Sequence, residues 1–87
     1  MKRVLRFTAS WCNPCQSLAA TLEGLKNDYP MMPPVEKIDI DENPEVAQEY
    51  GVRGVPTLVM MDSNIEVKRM VGTISRNKLI DWISKDV

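Results

Sequence analysis

The order of apolar and polar positions divides the first half of the chain into strand, helix and strand. The apolar run Val4–Thr8 predicts a strand, although one charged residue interrupts it. From Cys12 to about Asn27, apolar residues recur at intervals of three and four, which predicts a helix. The prolines within Tyr29–Pro34 cannot continue a helix, because proline lacks a backbone N–H and fixes φ. A second strand is therefore expected after them, at Val35–Ile40.

The second half of the chain predicts a short helix, a strand pair and a final helix. Asn43 followed by proline is typical of a helix start, and this helix would end near Tyr50. The runs Thr57–Met61 and Ile65–Val71 are separated by a polar link short enough for an antiparallel hairpin. Ser75 can cap the last helix. The resulting β-α-β-α-β-β-α order predicts an α/β fold with a four-stranded mixed sheet, in which strands separated by helices would be parallel neighbours.

Length and charge narrow the class of protein. The 87 residues are enough for a single domain, spanning residues 1–87, with a small core. Eleven basic and twelve acidic residues leave a net charge of −1, which argues against nucleic acid as a partner. The apolar run near the N-terminus is too short for a signal peptide, and nothing later approaches a membrane span. We therefore expect a monomer in the cytoplasm, where structural disulfides are rare.

Both cysteines of the chain lie within T-A-S-W-C-N-P-C-Q-S-L, at the predicted start of the first helix. One helical turn brings residues at this spacing to Cα separations of about 5–6 Å, within the range of a disulfide. Unpaired N–H groups and the helix dipole favour a thiolate there and lower its pKa. We expect Cys12 to be the exposed, activated sulfur and Cys15 to be shielded and to act second. Pro14 would stiffen the first helical turn.

Two other interpretations of the pair are weaker. A zinc site would need two more ligands, and the chain has no histidine and no other cysteine, so no metal is expected. Two incidental buried cysteines would have to coincide with a helix start. Redox chemistry is therefore favoured.

Four segments resemble the thioredoxin family, in the same order along the chain. W-C-N-P-C is similar to the family motif W-C-G-P-C, and K-I-D-I-D-E-N-P is similar to its lysine-bearing strand and Asp-x-Asn-Pro turn. Tyr50–Leu58 reads Y-G-V-R-G-V-P-T-L, as in that family, and Val71-Gly72 matches a turn before the last helix. The resemblance covers nearly the whole chain and implies a thioredoxin fold.

The resemblance also implies a mechanism and a docking surface. Cys12 would attack a substrate disulfide, and Cys15 would resolve the mixed disulfide. Pro56 matches a cis-proline that faces the disulfide, and the backbone of Val55 would pair with an extended substrate. The implied docking surface consists of Trp11, Val55, Pro56, Thr57, Gly72 and Thr73. Trp11 could instead be a packed aromatic.

The implied partners are disulfide-containing proteins and a reductase that regenerates the dithiol. This would be a thioredoxin reductase or the glutathione system. No metal or organic cofactor is needed for such exchange.

Asn13 departs from the family motif, which has glycine between the cysteines. Its side chain could hydrogen-bond the sulfur of Cys12 or face solvent, and the second is favoured because asparagine in turns usually bonds local backbone or water.

Arg6 is a second departure, because the family has a buried aspartate at this position. An arginine stays protonated and cannot act as a general base. We hypothesise that Arg6 pairs with Asp39 and that Lys37 lies near, forming a positively charged floor beneath Cys15. The alternative is that Arg6 extends to the surface.

A third departure is that only eleven residues precede Cys12. Family members of ordinary length have an additional strand and helix there. We therefore expect Val35–Ile40 to be an exposed edge strand, protected by its charges. One face of the sheet should also be covered less fully, as in a minimal glutaredoxin-like core.

Two competing functions remain at this stage. A glutaredoxin would need groups that hold glutathione, but Val71–Arg76 lacks the acidic residue that those proteins use for its amine. The other is a binding module in a larger assembly, against which the intact cysteine pair counts. Thioredoxin-like protein-disulfide reduction is favoured.

Overall fold

The computed structural model of the protein describes residues 1–85. The described elements are β1 (Lys2–Thr8), α1 (Asn13–Asp28), β2 (Val35–Asp39), α2 (Pro44–Glu49), β3 (Thr57–Asp62), β4 (Ile65–Val71) and α3 (Arg76–Ser84). The predicted order is confirmed, and each predicted boundary lies within two residues of the observed one.

The sheet has the strand order β2-β1-β3-β4. Strands β1 and β2 are parallel, whereas β3 is antiparallel to both β1 and β4. Strands separated by a helix were expected to be parallel neighbours. This expectation is wrong for β3, which follows α2 but pairs with β1 in the antiparallel direction. Helix α2 has six residues and spans about 9 Å, whereas the five residues of β2 span about 17 Å, so α2 cannot carry the chain back along the sheet. Thr57 consequently starts β3 opposite Phe7, at the end of the sheet where β1 finishes.

Helices α1 and α3 cover one face of the sheet. Helix α1 buries Cys15, Leu18, Leu22 and Leu25 at helical spacing, and these leucines pack with Val4, Leu58, Met60 and Leu79. Ser75 caps α3 as predicted, because its hydroxyl accepts a hydrogen bond from Lys78 N–H at 3.2 Å. The larger part of the core lies on this side.

The opposite face is covered by α2 alone within residues 1–85. Its buried cluster consists of Leu5, Phe7, Ile38, Ala47, Val59 and Met61. Two ion pairs lie on the same face: Arg3 with Glu36 at 3.1 Å, and Arg69 with Glu66 at 2.6 Å. Arg69 also donates to the carbonyl of Tyr50 at 2.7 Å. This face therefore has less helix over it than the other, as expected, and charged side chains paired with each other lie on it.

Strand β2 lies at the edge of the described sheet, as expected. Its charged residues Glu36 and Lys37 are exposed, which deters pairing with other strands. Within residues 1–85, none of the helices has the length and apolar character that crossing a membrane requires.

Candidate active site

The two cysteines lie where β1 ends and α1 begins. Cys12 and Cys15 form a disulfide with a Cα–Cα distance of 5.2 Å. Cys12 is the N-cap of α1, and its Sγ accepts a hydrogen bond from the backbone N–H of Cys15 at 3.1 Å. No acidic residue lies in the first turn of α1, so no carboxylate there offsets the positive end of the helix dipole. This environment stabilises a thiolate at Cys12 when the pair is reduced.

The two cysteine residues differ less in exposure than the sequence suggests. Cys12 is 5% exposed and Cys15 is fully buried. Ile40 and Val55 pack against the cluster that the cysteines form with Ala9. Cys12 is therefore the more accessible of the two, but in the disulfide state it is a largely covered residue rather than an exposed one.

Asn13 and Pro14 lie between the cysteines, and both are exposed. The donor to the Cys12 sulfur is the backbone N–H of Cys15, and no bond from the Asn13 side chain occurs within the described residues. This agrees with the solvent-facing alternative for Asn13. Pro14 occupies the first turn of α1, where backbone N–H groups have no partner within the helix, so the missing N–H costs no hydrogen bond.

The loop before β3 faces the cysteines. The Val55–Pro56 peptide bond is cis, Pro56 is buried, and Val55 packs against the cysteine cluster. The hydroxyl of Thr57 donates to the carbonyl of Gly54 at 2.7 Å. The N–H of Gly72 donates to the carbonyl of Pro56 at 2.9 Å. The loop before β3 and the turn after β4 are therefore held together.

Gly72 and Thr73 form the turn after β4. Gly72 has a φ of +91°, a backbone conformation that residues other than glycine rarely adopt. Thr73 borders a shallow groove of about 320 Å³ that also contacts Asn13, Pro14, Ser17, Thr21 and Ile74. The last three were not among the site residues predicted from the sequence. They cannot be grouped from chain order, because α1 and this turn are some 50 residues apart.

Trp11 is an exposed aromatic rather than a packed one. Its side chain is 66% exposed, and its indole N–H donates to a carboxylate oxygen of Asp41 at 2.9 Å. Asp41 was not predicted from the sequence to be a site residue. Asp41 lies two residues after the end of β2, which is parallel to β1. Because neighbouring parallel strands end at the same edge of a sheet, this position could have suggested that Asp41 lies near the residues that follow β1.

Asp39 supports the turn that carries Asp41. One oxygen of Asp39 accepts hydrogen bonds from the backbone N–H groups of Asp41 at 2.9 Å and Glu42 at 3.3 Å. Asp39 is therefore connected to Trp11 through the turn. Its carboxylate holds the backbone of this turn, and it pairs with no cation among the described residues.

The hypothesis that Arg6 pairs with Asp39 is wrong. Arg6 lies opposite Lys37 in the parallel pairing of β1 and β2, and Asp39 lies opposite Thr8, two positions further on. The carboxylate of Asp39 already binds the N–H groups of its own turn. Lys37 does lie next to Arg6, as expected.

Arg6 enters a cleft between α1 and β2. This cleft is lined by Glu23 and Lys26 of α1 and by Lys37 of β2, and neither cysteine borders it. Burial lowers the pKa of the Arg6 guanidinium, and attraction to Glu23 partly opposes that shift. The positive charge thus faces the second half of α1 rather than forming a floor beneath Cys15.

The fold and site are similar to those of known proteins. The thioredoxin family model matches residues 1–85. The curated thioredoxin of Rickettsia bellii is 36% identical over 81 residues, covering 93% of this chain and 77% of that protein. The solved thioredoxin of Fasciola hepatica superposes with a TM-score of 0.84 at 35% identity, covering 95% of this chain and 78% of that one. A mutant thioredoxin of Halobacterium salinarum gives a TM-score of 0.80 at 38% identity, covering 99% and 77%.

A mixed four-stranded sheet with a cysteine pair at the start of its first helix defines the class of thiol–disulfide oxidoreductases with this fold. The similarity over nearly the full chain specifies the group within that class. The chain belongs to the thioredoxin family. It is a thiol–disulfide oxidoreductase, and the glutathione-dependent alternative is not favoured.

Proposed function

We propose that this protein reduces disulfide bonds of other proteins, with Cys12 as the attacking thiol and Cys15 as the resolving thiol. The observation that carries the assignment is the hydrogen bond from Cys15 N–H to the sulfur of Cys12, at the N-cap of α1. A donor in that position stabilises negative charge on Cys12 rather than on Cys15. The greater exposure of Cys12 supports the same order.

The reaction proceeds in two exchanges. The thiolate of Cys12 attacks one sulfur of the substrate disulfide, forms a mixed disulfide and releases the other substrate sulfur, which takes up a proton. Cys15 then loses its proton and attacks the sulfur of Cys12, which frees the second substrate thiol. Two electrons have passed to the substrate, and the Cys12–Cys15 disulfide remains, as in this structure.

The substrate would bind across the surface formed by Trp11, Val55, Pro56, Thr57, Gly72 and Thr73. Val55 lies against the cysteine cluster, so an extended segment paired with its backbone would bring a disulfide to Cys12. Trp11 offers a large exposed aromatic whose orientation is fixed by Asp41. Aromatic side chains in such positions are favourable contacts for protein partners.

Regeneration of the dithiol would be carried out by a thioredoxin reductase. We further propose that the chain acts as a single-domain monomer in the cytoplasm and transfers electrons between this reductase and its protein substrates. A coupled assay distinguishes the two possible electron donors. Turnover with NADPH and a thioredoxin reductase is expected to exceed turnover with glutathione and its reductase, and the reverse result would contradict this part of the proposal.

Single cysteine variants test the order of attack. With a disulfide-containing protein such as insulin, Cys15→Ser should accumulate a mixed disulfide at Cys12, visible by mass spectrometry under non-reducing conditions. Cys12→Ser should accumulate none and should not reduce insulin. Asn27→Ala, an exposed change at the far end of the same helix, is the control and should keep full activity. A mixed disulfide that forms at Cys15 in the Cys12→Ser variant would reverse the assignment, and biological activity retained by that variant would favour a binding role.

A further inference from the structure

The cleft that Arg6 enters is a feature that disulfide exchange does not use. We call it the cationic cleft; its charged residues are Arg6, Glu23, Lys26 and Lys37, and Pro33 and Pro34 form part of its wall. Its volume is about 190 Å³, several times the share of one water molecule in the liquid, which is about 30 Å³. The cleft therefore has room for a small polyatomic anion together with part of the molecule that carries it.

The charges in the cationic cleft do not balance. Arg6, Lys26 and Lys37 contribute three positive charges, and Glu23 is the single carboxylate among the lining residues. Arg6 and Lys37 are register partners on neighbouring parallel strands, which lie about 4.8 Å apart, so two like charges extend from the same face of the sheet. An anion lying between them would be attracted by both charges.

The three cations have no direct partner in the described part of the chain. None of them makes an ion pair or a side-chain hydrogen bond with residues 1–85, although other surface cations such as Arg3 and Arg76 do. Arg6 is only partly exposed, and its interaction with Glu23 is a longer-range attraction rather than a hydrogen bond. A half-buried guanidinium keeps its donor geometry available for an incoming anion.

We propose that the cationic cleft binds a phosphate group, either as inorganic phosphate or on a small phosphorylated metabolite. The planar fork of Arg6 suits two parallel hydrogen bonds to phosphate oxygens, and Lys26 and Lys37 add point charges from opposite walls. The rigid prolines keep the wall in place without an ordering cost. The cleft contacts neither cysteine, so this binding is independent of the disulfide chemistry.

NMR titration of the full chain with sodium phosphate, against sodium chloride at matched ionic strength, tests the proposal. Saturable shifts are expected in the amides of residues 19–26 of α1 and 35–37 of β2. Arg6→Gln should weaken binding about tenfold or more, the equivalent of one lost charge-assisted contact. Lys78→Gln, an exposed change on α3 outside the cleft, is the matched control and should bind as the unmodified protein does.

Two further variants keep the result decisive if Arg6→Gln does not fold. Lys37→Gln should weaken binding, and Glu23→Gln should tighten it by removing the opposing carboxylate; both residues are exposed. A parallel titration with glycerol 3-phosphate separates the sources: tighter binding than inorganic phosphate indicates a metabolite, and weaker binding indicates the free ion. Shifts that do not saturate, that centre outside the cleft, or that persist unchanged in Lys37→Gln would overturn the proposal, whatever the outcome of the insulin assay.

Discussion

Two buried threonines allow the energetics of this small core to be tested by one matched pair of substitutions. Thr8 on β1 and Thr57 on β3 are each 2% exposed. The hydroxyl of Thr57 donates to the carbonyl of Gly54 at 2.7 Å, whereas the hydroxyl of Thr8 has no hydrogen-bond partner among residues 1–85. Replacing each threonine by valine exchanges a hydroxyl for a methyl group in similar surroundings. The two substitutions should change stability in opposite directions.

The expected magnitudes follow from the state of each hydroxyl. A buried polar group without a partner costs about 1–3 kcal/mol, so Thr8→Val should raise the free energy of unfolding by about 1 kcal/mol. A satisfied hydrogen bond contributes about 1 kcal/mol net, so Thr57→Val should lower it by at least that amount, since the carbonyl of Gly54 also loses its donor. In a domain of this size, about 1 kcal/mol corresponds to a shift in Tm of roughly 4–8 °C.

Urea unfolding of the disulfide form, followed by circular dichroism, measures both changes. The m-value should stay constant, because neither substitution alters the surface exposed on unfolding, and the two midpoints should move apart. Thr8→Val is compared with Thr57→Val, so that a general effect of valine in strands cancels. A loss of stability in Thr8→Val equal to that in Thr57→Val would refute the reasoning, since it would mean that the hydroxyl of Thr8 is satisfied in solution.

Three further predictions concern exposed and partly exposed contacts. The pKa of Glu66 is held below its ordinary value of 4.5, chiefly by hydrogen bonds from Arg69. The contribution of these hydrogen bonds to stability is therefore complete above pH 4.5 and is lost as the pH falls through the lowered pKa. Thermal unfolding should therefore separate Glu66→Gln from the unmodified protein at neutral pH but not in strong acid. Asp41→Ala should free the Trp11 indole and lower its fluorescence anisotropy. It should also raise KM for a protein disulfide about fivefold, the equivalent of about 1 kcal/mol. An unchanged KM would show that the orientation of Trp11 does not contribute to substrate binding. The Lys68 ammonium lies 5.3 Å from the Trp82 ring centroid and donates to carbonyls at the end of α3. Lys68→Met should therefore lower the free energy of unfolding by about 1 kcal/mol in urea. Equal urea midpoints for the variant and the unmodified protein would contradict this.

The elements of this fold were predictable from the sequence because their signals are local. Apolar positions such as Leu18, Leu22 and Leu25 repeat at helical spacing and are all buried in α1. Ser75 stands directly before α3 and caps it. The cysteine pair was predictable for the same reason, because a separation of three residues and a helix start together fix the distance between the two Cα atoms.

The errors concern contacts between segments that are distant in sequence. Pairing of Arg6 with Asp39 required a register two positions away from the real one, and the sequence alone does not set the register between two parallel strands. The contact from Trp11 to Asp41 depends on two strands ending at the same edge. The direction of β3, in contrast, was open to prediction, because the helix expected after Asn43 was already too short to run back along a strand.

The active site is assembled mainly by backbone contacts at one edge of the sheet. Ile40 N–H donates to the carbonyl of Thr8 at 2.9 Å, which joins the turn after β2 to the end of β1. Gly72 N–H donates to the carbonyl of Pro56, which joins the two segments on the other side. Such bonds do not depend on which side chains extend from the middle of the strands. A change of charge at Arg6 can therefore alter the cleft beside α1 while the disulfide, the cis-proline loop and the proposed docking surface stay in place. We therefore expect disulfide reduction and the proposed anion binding to respond to different substitutions.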